Sequence, residues 1–255
     1  MYNGEKLTEG QECFWTVRVT DENNNWSAWS ETSFWTMGLL SQESWKGKWI
    51  GADGLTLDTQ SRGSISMRKA DPWLRKTFTL PESPQKAVIY VASVGYHELY
   101  VNGQKISDMV LVPSATDHKK RARYITYDIS NELVQGENVI ALWLGTSWSI
   151  FPAYQTEDRP HAPLALAQAE ISFLKNKPMQ IVSDESWKSH PSPNILLGYW
   201  EAHHFAGEEY DRTKEIENWN KAGYNDSAWK PVSVFTPQLI VSADKTEPNR
   251  LIKEI

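Results

Sequence analysis

The sequence predicts an all-β protein: a partial two-sheet sandwich followed by a jelly-roll β-sandwich. Three observations carry this expectation. Short runs rich in β-branched and aromatic residues recur along the chain, separated by Gly, Pro, Asn and Asp. Helical periodicity is nearly absent, and closely spaced strands with turn residues between them point to sandwiches or jelly rolls. The chain also carries 13 Trp, 10 Tyr and 7 Phe, side chains that suit pleated sheets and bury large areas. Most of them are expected in the core, with a minority left as flat faces for ligands. A length of 255 residues allows one or two domains with real cores.

The first unit is read over residues 1–40. Phe14 to Thr20 alternates, with Trp15, Val17 and Val19 on one face and Phe14, Thr16, Arg18 and Thr20 on the other. Asp21-Glu22-Asn23-Asn24-Asn25 is a turn cluster. Trp26-Ser27-Ala28-Trp29-Ser30 leads into a second strand, Thr32 to Met37. This pair resembles the last two strands of a fibronectin type III-like sandwich, in which W-S-x-W-S is a familiar loop. Two strands cannot bury both faces of a sandwich.

Residues 41–72 are expected to be a connector, with Trp45 to Gly51 apolar enough to dock and Leu55 to Arg68 a polar surface loop. The main unit is read over 73–235. Its expected strands are Leu74–Leu80, Lys86–Val94, His97–Asn102, Arg123–Ile129, Asn138–Gly145, Leu164–Leu174 and Met179–Ser183. The second of these has weak alternation, as a strand buried on both faces does. Asn102-Gly103 is the strongest hairpin signal. One helical turn is expected at Ser130 to Leu133 and another at Asp226 to Trp229, capped by Asp226. Residues 236–255, with Pro237 to Val241 near their start, have β character but no obvious closing element, and read as a linker toward a further domain.

Composition excludes several functions. A net charge of −6 gives no electrostatic reason to bind nucleic acid or an anionic membrane. The one basic run, His118-Lys119-Lys120-Arg121 with Arg123, is expected to be a solvated loop. The single cysteine, Cys13, permits no disulfide framework within one chain and is expected as a small core residue. No apolar stretch is long enough to span a bilayer, so a soluble chain is expected; export of a parent to the periplasm or beyond stays open. The six histidines show no metal-ligand spacing. His203-His204 comes nearest, but neighbours on a strand point to opposite faces. Nucleophile-elbow and phosphate-loop patterns are missing.

Several ordered segments resemble the amino-terminal, non-catalytic β-domains of bacterial α-L-rhamnosidases. Leu74 to Leu80 followed by Gly95-Tyr96-His97-Glu98-Leu99-Tyr100-Val101-Asn102-Gly103 is similar to the strand and hairpin opening that family's jelly roll. Val112 to Asp117 is similar to its L-x-P-x-x-T-D segment, and Tyr124 to Ile129 to its Y-x-T-Y-D-V strand. Gly136 to Ile140, Gly207 to Arg212, Trp219-Asn220 and Tyr224 to Pro231 complete the series, and Met37 to Gly51 resembles the family's entry linker. One loop departs: Gly145-Thr146-Ser147-Trp148-Ser149 keeps the Trp of the family's G-D-G-W-Y or G-N-G-W-Y but loses its acidic or amide residue and second aromatic.

The resemblance implies an accessory region of a glycoside hydrolase. Inverting hydrolysis needs two carboxylates held across the scissile bond, and in the family these sit on a separate (α/α)6 barrel. Catalytic residues are therefore not expected here. The carboxylates Glu208, Glu209, Asp211, Asp184 and Glu185 are read as loop residues, although a free-standing hydrolase would draw on the first three. The expected role is binding of a rhamnose-containing glycan; the alternative is a purely structural domain packed on the barrel. A sugar site needs an aromatic face beside polar groups. Its candidates are Asp117 and His118 in the Thr-Asp loop, Trp148, and Tyr199 or Trp200; the competing role for Asp117 is to close an Asx turn. No cofactor is expected from the residues, and calcium is the one metal that the resemblance implies for some members. Aromatic strands at an unfinished edge favour self-association.

Overall fold

The computed structural model describes residues 4–52, 68–146, 149, 163–197 and 207–251. It divides into two compact units, Met1–Trp45 and Lys46–Ile255. The architecture is all-β throughout, as the alternation and turn spacing dictate.

In the first unit β1 (Glu12–Trp15) pairs antiparallel with β2 (Ser33–Thr36), placing Phe14 opposite Phe34 and Cys13 opposite Trp35. Past β1 the ladder continues through serine hydroxyls. Val17 N–H donates to Ser30 Oγ and Val19 N–H to Ser27 Oγ. The N–H groups of Ser27 and Ser30 return bonds to the Val19 and Val17 carbonyls. The Asp21 carboxylate accepts from the Asn23 and Asn25 N–H groups and closes the expected turn. The Arg18 guanidinium lies 4.3 Å from the Trp26 ring and 4.6 Å from the Trp29 ring. Cys13 is half-buried rather than a core residue, because a two-stranded sheet offers no second layer to bury it.

The second unit is a sandwich of two sheets. The first sheet runs β14 (Gly207–Tyr210), β13 (Lys188–Leu197), β4 (Arg68–Leu80), β10 (Gly136–Gly145), β6 (Tyr96–Val101), β7 (Gln104–Lys105), with β15 (Lys230–Pro231) also on β13. The second runs β16 (Ser233–Phe235), β3 (Trp49–Gly51), β11 (Leu164–Ser172), β5 (Lys86–Val94), β9 (Arg121–Asp128), β17 (Ile240–Ala243), with β12 (Met179–Val182) on β11. A small ribbon joins β8 (Met109–Val110) to β18 (Asn249–Arg250). All pairings are antiparallel except β17 on β9. Inward-facing residues of both sheets, among them Leu74, Leu142 and Leu99 against Ile89, Val91 and Ala167, form one core. The Asn102-Gly103 turn has φ of 49° and 87°, both left-handed, as a two-residue hairpin between β6 and β7 requires.

Several expectations are corrected. Residues 41–72 are not merely a connector: Trp49–Gly51 is a fully buried strand, and β4 already begins at Arg68. Residues 236–255 are not simply a linker, since β17 and β18 pair within the unit. β13 escaped detection because Pro191 and Pro193 read as strand breakers. They sit at a register shift between Pro191 and Ile195, where lost ladder bonds are tolerated. Residues 130–133 form a turn rather than a helical one. Asp226 accepts the Trp229 N–H through its carbonyl, but its carboxylate goes to Arg75 and Lys188 instead of capping. The basic run is only partly solvated: His118 is buried, and Arg123 reaches Ser114, Asp244 and Thr246. Among the eleven described tryptophans five are buried, whereas Trp15, Trp26, Trp29 and Trp35 are exposed.

Candidate functional site

The outer face of the first sheet positions the site. Strand pairing sets His190, Trp73, Trp143 and Glu98 side by side across β13, β4, β10 and β6. One turn of the pleat away, Lys188, Arg75 and Ala141 form the next row. Residues 212–229 cover part of this face. Trp219 stacks on Trp73 at 4.4 Å and 11°, Trp229 lies 6.5 Å from Trp73, and Tyr100 meets Trp219 edge-on at 5.6 Å. Arg75, 1% exposed, is clamped beneath. It donates to Asp226, to the Lys221 carbonyl at 3.0 Å and to the Tyr224 carbonyl at 3.3 Å. Burial pulls its guanidinium below the usual range, and Asp226 opposes that shift. The concavity beside it is lined by Arg75, Lys188 and Asp226 among others, and these three charges already answer one another.

The other end of the face is left open as a pocket of about 280 Å³ lined by Asp71, Tyr96, Glu98, Leu111, Trp143, Asn194 and Glu208, among others. Trp143 is half-buried and packs edge-on against Trp73 at 6.0 Å and at a tilt on Tyr210 at 6.4 Å. Its ring is therefore held on two sides. Asp71, 1% exposed, accepts from the Thr146 N–H at 2.9 Å, from the Thr146 hydroxyl and from the Asn194 amide at 2.9 Å. Burial raises its carboxyl to about 6, with the Thr146 and Asn194 bonds opposing and the Glu208 charge adding to the rise. Both oxygens being engaged, Asp71 orders the end of β10 and the Asn194 amide; it is not presented as a general acid. Glu98 accepts from the Tyr100 hydroxyl at 2.6 Å and pairs with Lys105. Behind the pocket His97 is buried between Ser93 and Tyr127 at 2.9 Å each, and burial drives it down to about 3, so it stays neutral.

Neither Asp117 nor His118 lines this pocket. Asp117 takes its competing role, accepting the Lys119 N–H through Oδ1 and the Lys120 and Arg121 N–H groups through its carbonyl. His118 is 3% exposed, withdrawn from any surface site. Trp148, Tyr199 and Trp200 lie outside the described residues, as do His203 and His204. Asp211 caps the 3-10 turn Arg212–Lys214 through Thr213, so Glu208 alone of the three carboxylates considered for hydrolysis lines the pocket. Asp71 and Trp143 went unnoticed in the sequence; the signal for Asp71 was the outward alternation Asp71, Trp73, Arg75, which puts polar and aromatic residues on one face of β4, the strand that pairs Trp73 with Trp143. Calcium takes six to eight oxygen ligands. Among the described residues no group of three His, Cys, Asp or Glu side chains could hold a metal ion, and Asp71 is spent on Thr146 and Asn194, so the described residues do not assemble a set for that ion.

Residues 82–253 match the family model of the α-L-rhamnosidase N-terminal domain, and residues 1–41 match that of a Rha78A-like, N-terminal immunoglobulin domain. An α-L-rhamnosidase of Alteromonas sp. (strain LOR) is 32% identical over 261 residues, spanning 100% of this chain and 28% of that protein. One from Formosa agariphila is 29% identical over 258 residues, spanning 98% of this chain and 26% of that protein. The chain thus spans little more than a quarter of the length of these curated relatives. The solved α-L-rhamnosidase from Dictyoglumus thermophilum superposes with a TM-score of 0.81 at 31% identity, over 99% of this chain and 28% of that one. The Streptomyces avermitilis enzyme complexed with L-rhamnose shares the fold, with a TM-score of 0.83 at 19% identity over 99% of this chain and 40% of that one. The ordered motifs, an all-β sandwich and a family model spanning most of its length agree: the chain belongs to the α-L-rhamnosidase N-terminal domain family.

Proposed function

We propose that this chain is the accessory, non-catalytic region of a rhamnosidase-type glycoside hydrolase and that the Asp71–Trp143 pocket binds a sugar residue of a rhamnose-containing glycan. The observation that carries this reading is an immobilised aromatic face, Trp143, lining one concavity with Glu98, Glu208 and Asn194. An indole stacks against the C–H face of a pyranose, while carboxylates accept its hydroxyl protons. Asp71 contributes by holding Asn194 and the end of β10 in place. Calorimetric titration with L-rhamnose tests the reading. Binding that weakens about tenfold or more in Trp143→Ala is expected, on the scale of an aromatic anchor; no heat at tens of millimolar sugar would refute it.

A structural role for the first unit is favoured by a separate observation. Phe14, Trp26, Trp29 and Phe34 are each more than half exposed, a concentration of apolar surface typical of docking faces. The occupant proposed is the catalytic domain of the parent protein. Replacing Phe14 and Phe34 together by Ser should lower the melting temperature of a full-length parent, and an unchanged melt would remove this role.

A further inference from the structure

Leu111 is the one leucine among the described residues with a left-handed backbone, φ 57°, and its side chain is 59% exposed. That conformation is disfavoured for any residue with a Cβ and suits Gly or Asn. Exposure returns little burial in exchange. Strain of this kind persists where the surroundings over-determine it, and it clusters at ligand sites.

The surroundings do over-determine it. One residue before, Val110 is paired with Asn249, and Met109 with Arg250, in the β8–β18 ribbon. Asp108 accepts the Leu251 N–H through its carbonyl and pairs with Arg250 through its carboxylate. One residue after, the Val112 carbonyl accepts the His97 N–H of β6 at 2.9 Å. Leu111 is therefore stretched between the closing ribbon and the main sheet. Its side chain lines the same pocket as Trp143.

We propose that Leu111 is a ligand-contacting, specificity-determining residue of this pocket, set there by the β8–β18 ribbon to meet an apolar edge of the bound sugar, such as the C6 methyl of a 6-deoxyhexose. This rests on the sugar-binding reading above. Among the residues lining the pocket, Glu98, Asn194 and Glu208 can take hydroxyls, while Val110, Leu111 and Trp143 supply apolar surface alongside Tyr96. A C6 hydroxyl set against the Leu111 side chain would be desolvated by it and gain no hydrogen bond from it.

The test titrates the whole chain with L-rhamnose and with L-mannose, which differ by one hydroxyl on C6. The wild type should prefer L-rhamnose. Leu111→Gly relieves the backbone while deleting the side chain. Its melting temperature should hold or rise as L-rhamnose binding falls about fivefold or more and the preference over L-mannose shrinks toward unity. Leu111→Asn, which tolerates the same φ, should reproduce the binding loss. A purely structural leucine would not give this opposition between stability and affinity. Wild-type affinity and preference in both variants would overturn the role of Leu111 while leaving the pocket standing if Trp143→Ala still abolishes binding. A wild type that binds neither sugar would overturn both.

Discussion

Both units place an arginine against tryptophans, with opposite results. In the first, Arg18 lies over Trp26 and Trp29, and both rings are 58% exposed. In the second, Arg75 lies 5.9 Å from Trp229 and 5.3 Å from Tyr224 and is almost wholly buried. The first cation keeps its water and needs no counter-ion. The second has lost its water and is held by Asp226 and two carbonyls. The same residue types thus make a surface clip in one place and a sealed core in the other. What separates them is depth of covering chain: Arg18, Trp26 and Trp29 are exposed, whereas residues 212–229 fold over Arg75.

The comparison can be broken most forcefully at its buried end. Trp73→Ala would remove the ring on which Trp219 and Trp229 stack, and should cost about 3–5 kcal/mol in urea unfolding of the second unit. A loss below 1 kcal/mol would show the aromatic layer to be dispensable. Asp226→Ala would strand Arg75 and should cost about 3 kcal/mol. Arg75→Met with Asp226→Leu should recover most of it, because both charges then disappear together.

Acid titration sharpens the picture of the buried polar groups around the pocket. His97 is depressed from 6.5 to about 3 by burial, so its contribution is present above pH 6.5 and declines as pH falls toward 3, at about 1.4 kcal/mol per pH unit. Asp71 is raised from 3.8 to about 6, so its contribution is full below pH 3.8 and is lost as pH rises through 6. Between pH 4 and 6 the two slopes oppose. Asp71→Asn should therefore remove the loss of stability that sets in as pH rises through 6 and unmask a rising stability between pH 4 and 6. A pH profile parallel to wild type would contradict this assignment.

The smallest effect is expected at the exposed end. Arg18→Ala should cost about 1 kcal/mol, read as faster hydrogen exchange at the Ser27 and Ser30 amides, which bond to Val19 and Val17. An effect as large as that of Asp226→Ala would erase the distinction between clip and core.

Strand identity was written locally wherever the chain alternates or carries turn chemistry. Lys86–Val94 and the Asn102-Gly103 hairpin could be read from side chains alone, since φ preference and pleat act within a few residues. β13 could not, because its prolines forbid a regular strand and only pairing with β4 and β14 makes their bulge acceptable. β17 showed only as β character over Pro237–Val241, and β18 not as a strand of its own; the partners β9 and β8 fix both.

The sequence by itself determined the fold class and the family, because alternation, turn residues and the ordered motifs from Met37 to Pro231 are local properties. Only the tertiary structure brought the candidate pocket together. Asp117 had the right chemistry but its own loop uses its carboxylate. Asp71, Trp143, Asn194 and Glu208 are distant in sequence and meet because β4, β10, β13 and β14 stand side by side. Which carboxylate is withdrawn and which ring is left open depends on how much covering chain folds across the sheet, a long-range outcome that no short window of residues contains.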